Sequence, residues 1–245
     1  MPKTPITAKF IRVPVEGGRL PVAPAFDDFL DPKHMVVVEL GMQKGNLLPE
    51  YFDAEKSAKM VEEINAFNAA CRKAGIPIVH AGYKFRKGGL DLVNAQYPRI
   101  TPLSGKKPFP NPAMEEDTDL WQFATEVAEG DHKLLSAKRH SAFEGTDLEF
   151  LLKILGCKTI VFVGAGLDCI GMGTGFYGMI KDFKCLVVED RFYPYFEDLG
   201  EECAKACTMF IGLVVRADEL TAEIQAQLGP QRSLQCLARH SCHLR

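Results

Sequence analysis

The chain has 245 residues, 47% apolar and 25% charged, which is enough to bury a sizeable core in one domain. Its 29 Lys and Arg stand against 32 Asp and Glu, a net charge of −3, so no basic excess exists to neutralise a nucleic-acid backbone. No apolar run reaches the roughly 18 residues of a membrane span, and the opening MPKTPITAKFIRVPVEGG lacks the apolar centre of a secretory leader. A soluble, cytoplasmic protein is expected, with neither nucleic acid nor membrane as partner. Five of the eight cysteines (Cys71, Cys157, Cys185, Cys203, Cys207) lie within apolar segments, where a thiol packs as a small hydrophobe. A chain of this length needs no cross-linked scaffold, so reduced thiols are expected.

Residues 1–33 are rich in Pro and Gly and weakly periodic, and read as an arm. MVVVEL (35–40) has the β-branched run of a buried strand. From Asp53 to Ala74 the stripe Met60, Ile64, Phe67, Cys71 predicts a helix that Gly75 closes before Pro77. IPIVHA (76–81) is a second strand. The segment 82–113, with Gly88-Gly89 and the prolines of 101–113, is long and irregular, as lids and subunit contacts are. Then follow a strand at 133–138, a helix over Asp147–Leu155, the most apolar strand at 159–166 and a Gly-rich helix near 170–181. A strand at 184–190, a helix from Glu197 to Cys207 and a strand at 209–215 follow, and Ala217 to Leu228 ends the regular part. Such alternation specifies a mostly parallel sheet with helices on both faces, a three-layer α/β/α fold. One domain is expected over 34–228, followed by a polar tail, 229–245.

In parallel sheets the chemistry gathers at the C-terminal ends of the strands. Three of those ends carry reactive residues: Glu39 in VVVELGMQKG, Lys138 in KRHSAFEGTDL, and Cys169 in VFVGAGLDCIGMGT. A thiol at a helix N-terminus is favoured as thiolate by the macrodipole, and a nearby lysine favours it again. A carboxylate beside them can relay the proton. For each there is a plainer alternative: Cys169 as a buried thiol in a tight turn, Lys138 as a strand-end surface lysine, Glu39 as a buried acid with a structural partner.

The string Lys138 to Leu148, with VVVELGMQKG before it and VFVGAGLDCIGMGT and KCLVVEDRF after it, resembles the isochorismatase-like cysteine hydrolase superfamily over roughly residues 33–215. The resemblance implies a flavodoxin-like α/β/α fold, homo-oligomers (a dimer or tetramer) and an Asp–Lys–Cys triad. The chemistry implied is hydrolysis of C–N bonds in small amides or, in some members, of a vinyl ether. Lys138 falls on the lysine of that triad. The acid's place, directly before Met42-Gln43, is Gly41; counting from Gly164 to Thr174, the nucleophile's place is Ile170, with Cys169 one residue early. The leading expectation is an amidohydrolase with Cys169 as nucleophile, Lys138 as cation and Glu39 as proton shuttle. Phe143, Phe176 and Tyr177 would line a compact substrate pocket. The alternatives are a member of the fold that binds a small molecule or partner without catalysis, and an acid-catalysed vinyl-ether hydrolase without a thiol. No cofactor and no metal are expected: His80 stands alone where some relatives carry a metal-binding set, and Cys236, His240, Cys242 and His243 read as part of a polar end.

Overall fold

A computed structural model describes residues 7–9, 19–21, 29–49, 51–87, 91 and 114–232. Most of the arm, residues 88–90 and 92–113 of the irregular segment, and the cysteines and histidines of the tail lie outside the described residues.

Two short strands, β1 (Thr7–Lys9) and β2 (Arg19–Pro21), pair antiparallel. The body of the fold is a second sheet. In chain order its elements are β3 (Met35–Leu40), α1 (Ala54–Lys73), β4 (Ile78–Tyr83), β5 (His132–Ala137), α2 (Leu148–Ile154), β6 (Thr159–Ala165), α3 (Met172–Ile180), β7 (Lys184–Tyr193), α4 (Gly200–Phe210), β8 (Leu213–Val215) and α5 (Ala217–Arg232). The six strands lie in the order β5-β4-β3-β6-β7-β8, and every neighbouring pair is parallel. Alternation of side chains along β3 divides the core: Val36, Val38 and Leu40 pack with α2, α3 and α4, while Met35 and Val37 pack with α1 and α5. Both faces are covered, so β3, β4 and β6 are buried along their whole length.

Helix α1 shows how the sequence sets its own limits. The Asp53 carboxylate accepts from the Lys56 N–H at 2.7 Å, capping the start. At the other end Gly75 N–H bonds to Arg72 O and Ile76 N–H to Cys71 O, the paired bonds of a Schellman closure. Met60, Ile64, Phe67 and Cys71 are buried as the stripe predicts, and Asn68 is buried with them. The last strand is shorter than the expected 209–215. Helix α4 runs through Met209 to Phe210, and only Leu213–Val215 pairs with β7, because Gly212 N–H still bonds back to Cys207 O. The order in which strands are added reverses between β3 and β6: β4 and β5 extend the sheet one way, β6 to β8 the other. The crevice of such a sheet opens at this switch, beyond Leu40 and Ala165.

Candidate functional site

At the switch point the first residue past β3 is Gly41, with φ +66°. A Cβ built there would meet the Ala165 carbonyl oxygen at 2.7 Å, so an L side chain at this position faces both a left-handed backbone and a neighbouring strand. The place where the resemblance puts an acid therefore admits none without moving the backbone. Gln43, two residues on, is fully buried: its Nε2 donates to Tyr83 O and Trp121 O, and its Oε1 accepts from Tyr83 N–H. It ties the end of β3 to the end of β4.

Glu39 points to the α1 side of the sheet and is fully buried. Its carboxylate accepts from Asn68 Nδ2 at 2.6 Å and Thr125 Oγ1 at 2.5 Å, and bonds His80 Nδ1 at 2.9 Å. The other His80 nitrogen, Nε2, lies 3.0 Å from Asp131 Oδ2, and Arg72 closes the chain with two bonds to Asp131. Burial alone would lower the His80 pKa, but the hydrogen bonds and charges of Glu39 and Asp131 outweigh it and hold it above the usual imidazole value. Burial works to raise Asp131, yet bonds from Arg72, His80 and the Ala128 amide hold it below the ordinary carboxylate range. The two carboxylates thus face the His80 ring and the Arg72 guanidinium.

This geometry separates Glu39 from Lys138. Glu39 pairs in register with His80 and His80 with Lys133, whereas Tyr83 pairs with Ala137. Lys138 thus lies two strands across, about 10 Å, and roughly four residues or 13 Å further along. Glu39 therefore does not meet Lys138, and three polar groups occupy its carboxylate. Lys138 Nζ instead donates to Lys84 O, lies 3.7 Å from Asp91 Oδ2 and sits over the Phe85 ring. Burial lowers its pKa, with Asp91 opposing. Asp91 is itself held by the Arg86 amide and guanidinium, both at 2.6 Å. It is the carboxylate that sequence reasoning missed; it stands in the irregular 82–113 segment, where no spacing or motif marks it.

Cys169 follows β6 on a π turn, Leu167–Gly171, that runs into α3. Gly171 N–H bonds to Gly166 O at 2.9 Å and Met172 N–H to Leu167 O, both reaching back five residues. A π turn accommodates one residue more than an α turn. Ile170 is 1% exposed and belongs to the core, while Cys169 is half-buried, packed where the two cores meet beside Gly166 and near Tyr195. The Asp168 carboxylate accepts from the Tyr195 and Phe196 amides, fastening the turn to the end of β7. Burial, reinforced by the Asp168 charge, pushes the Cys169 thiol well up, and neither Lys138 nor Glu39 is among the groups that act on it.

The loop after Lys138 does reach the helix that Cys169 opens. Ala142 N–H donates to Thr174 Oγ1 at 3.0 Å, and a Cβ on Gly173 would collide with the His140 carbonyl. The aromatic residues expected to line a pocket do not gather there. Phe143 is buried, stacks on Phe183 and lies under Lys181. Phe176 stacks on Phe210, and Tyr177 is 39% exposed on the outer side of α3. A shallow groove of about 690 Å³ opens elsewhere, lined by Lys44, Leu47, Val61, Asn65 and Ala124, and none of the expected site residues borders it. Among the described residues no group of three His, Cys, Asp or Glu is placed to hold a metal ion.

No curated protein matches the sequence. Solved structures do match it in fold. An isochorismatase family protein from Burkholderia thailandensis has a TM-score of 0.66 at 21% identity, covering 80% of this chain and 97% of that one. A cysteine hydrolase from Pseudomonas syringae pv. phaseolicola 1448A scores 0.64 at 18% identity over 92% and 99%. N-carbamoylsarcosine amidase from Thermoplasma acidophilum scores 0.57 at 20% identity over 75% and 96%. At these identities they share the fold alone. The sequence itself goes further: a family model, the isochorismatase domain, matches residues 35–192, from the first residue of β3 to the end of β7 and through every strand end described above. With nearly two thirds of its length matched, and with the parallel sheet and switch point that the match requires, this chain belongs to the isochorismatase-domain family.

Proposed function

We propose that this chain is a small-molecule hydrolase that cleaves an amide C–N bond through Cys169, with Lys138 as the cation of its site. One observation carries the reading: on the π turn at the end of β6 and ahead of α3, Cys169 is partly buried whereas Ile170 is 1% exposed and belongs to the core. There the sulfur attacks the amide carbonyl, the C–N bond breaks and the amine leaves with a proton. Water then cleaves the thioester, releasing the acid and restoring the thiol. The resting thiol is pushed up by burial, so the proton departs only when charge is brought to it. Lys138 supplies that charge by turning its flexible stem from Lys84 O while Asp91 stays beside it. The solved neighbour named as an amidase has the same fold and fits this bond type. The same reading takes the catalytic domain as residues 34–228 and the protein as cytoplasmic and homo-oligomeric.

A second reading, binding of a small molecule without covalent chemistry, is favoured by a specific observation: the Asp168 carboxylate next to Cys169 is taken up by the Tyr195 and Phe196 amides, and Glu39 by Asn68, His80 and Thr125. Turnover of a panel of small primary and N-substituted amides separates the two. Cys169→Ser and Lys138→Met are each expected to abolish hydrolysis while leaving the far-UV circular dichroism unchanged. Hydrolysis that survives Cys169→Ser refutes the thiol mechanism; a protein that binds amides but turns over none of them supports the second reading.

A further inference from the structure

One residue collects cations from the ends of two neighbouring strands. Asp91 follows β4, and its side chain is almost fully buried. Its Oδ2 accepts from the Arg86 amide and its Oδ1 from the Arg86 guanidinium, both at 2.6 Å, so the plane of the carboxylate is fixed. Its backbone carbonyl accepts from Arg139 Nη1 at 3.0 Å. From the end of β5, Lys138 Nζ comes within 3.7 Å of Oδ2. The other contacts of Lys138, the Lys84 carbonyl and the Phe85 ring, orient the ammonium without carrying a full charge. Arg86 repels it, and Glu116 adds a weaker attraction than Asp91 does.

We propose that Asp91 is a positioning residue of this site: clamped by Arg86, it anchors the Lys138 ammonium from a segment of the chain other than the end of β3, where Gly41 carries no acid. The inference rests on the reading of Lys138 as the cation of a hydrolytic site, and Asp91 acts through that lysine rather than on the substrate. The clamp also sets what Asp91 does not do. Burial works to raise its pKa, but the Arg86 amide and the Lys138 charge hold it below the ordinary carboxylate range. It therefore stays ionised through neutral pH and takes up no proton there. Anchoring the lysine and accepting the thiol proton are separate tasks in this chain, and Asp91 performs the first alone.

The titration of Lys138 reads the anchor directly, because acetic anhydride acylates only the neutral amine. The full chain is pulsed with this reagent from pH 7 to 11, and acetylation of Lys138 is followed by peptide mass spectrometry against the exposed Lys158. An opposite charge within about 4–6 Å shifts a pKa by about 1–3 units. Asp91→Asn is therefore expected to move the midpoint for Lys138 down by about one pH unit or more, with Lys158 unchanged, and Asp91→Glu to restore most of it. A role in packing alone would not do this: a loosened loop exposes the lysine to water, which moves its midpoint up. On any amide that the chain hydrolyses, the alkaline limb of kcat/KM should fall by the same amount in Asp91→Asn. Absence of amide turnover refutes the thiol mechanism and leaves the lysine titration to decide on Asp91. Coupling of the wild type with a water-soluble carbodiimide needs no substitution, and is expected to join Asp91 to Lys138 as an isopeptide. An unmoved or raised midpoint in Asp91→Asn overturns the proposal, and so does a wild type in which that cross-link does not form.

Discussion

Replacing His80 with Leu keeps the side-chain volume nearly constant and removes the group that bridges two carboxylates. Glu39, with no exposed surface, would lose its cation, and Asp131 would keep only Arg72. Breaking one partner out of a buried ionic cluster costs about 3–5 kcal/mol. For a domain of this size each kcal/mol moves the melting temperature by about 2–4 °C, so a fall of roughly 10 °C is expected. The loss should depend on pH. His80 titrates in the folded chain above its unfolded value of about 6.5, so its contribution is complete below that value and fades as pH rises through the higher folded one. Asp131 acts in the opposite sense: its contribution is complete above the ordinary Asp range and fades as pH falls through its lowered value. The gap in melting temperature between wild type and His80→Leu should therefore be widest near pH 5–6 and narrow on the alkaline side. Differential scanning calorimetry at pH 5.5, 7 and 9 measures it. A gap under about 3 °C at pH 5.5, or one that is flat across the series, would show that the cluster contributes little and that the charge pairing assigned to it is wrong.

Three further outcomes are expected. Glu39→Gln keeps the shape but removes the charge facing His80, so the pH dependence of melting should shrink even if stability at pH 9 changes little; a two-dimensional NMR titration of the His80 ring would read the fall in its pKa directly. Asp53→Ala removes the cap of α1 and should cost about 1 kcal/mol in urea unfolding with an unchanged m-value. Gly173→Ala forces a methyl against the His140 carbonyl and should separate the Lys138 loop from α3, raising the limited-proteolysis rate of 138–146 before global stability falls by more than about 1–3 kcal/mol.

The fold was legible because its signals are local. MVVVEL and TIVFVGAG announce buried strands by unbroken apolar runs, and α1 carries its stripe, its cap and its glycine stop in consecutive sequence. The end of α4 misled for the same reason: MFIGLVV is one apolar run, and only the backbone bond from Gly212 to Cys207 places the division inside it. The site was less legible. Placing Glu39, Lys138 and Cys169 at strand ends is a statement about topology, whereas their meeting depends on register and on which face each side chain takes. Glu39 points to α1, where Asn68 and Thr125, neither of them marked by any motif, wait for it. The π turn that carries Cys169 was not legible either, because its signal is a hydrogen-bond pattern and not a residue type.

Gly41 bears on how this chain differs from a family member with an acid at the end of its first core strand. The difference is not one side chain. The left-handed backbone at 41 and the Ala165 carbonyl standing where a Cβ would be mean that an aspartate placed there by a single codon change meets strain before it meets any chemistry. An acid at 41 needs the ends of β3 and β6 to shift together, so a single substitution at this position does not supply one. Laboratory selection for faster amide hydrolysis by this chain should accordingly place any added proton acceptor at other positions around Cys169 and leave residue 41 a glycine.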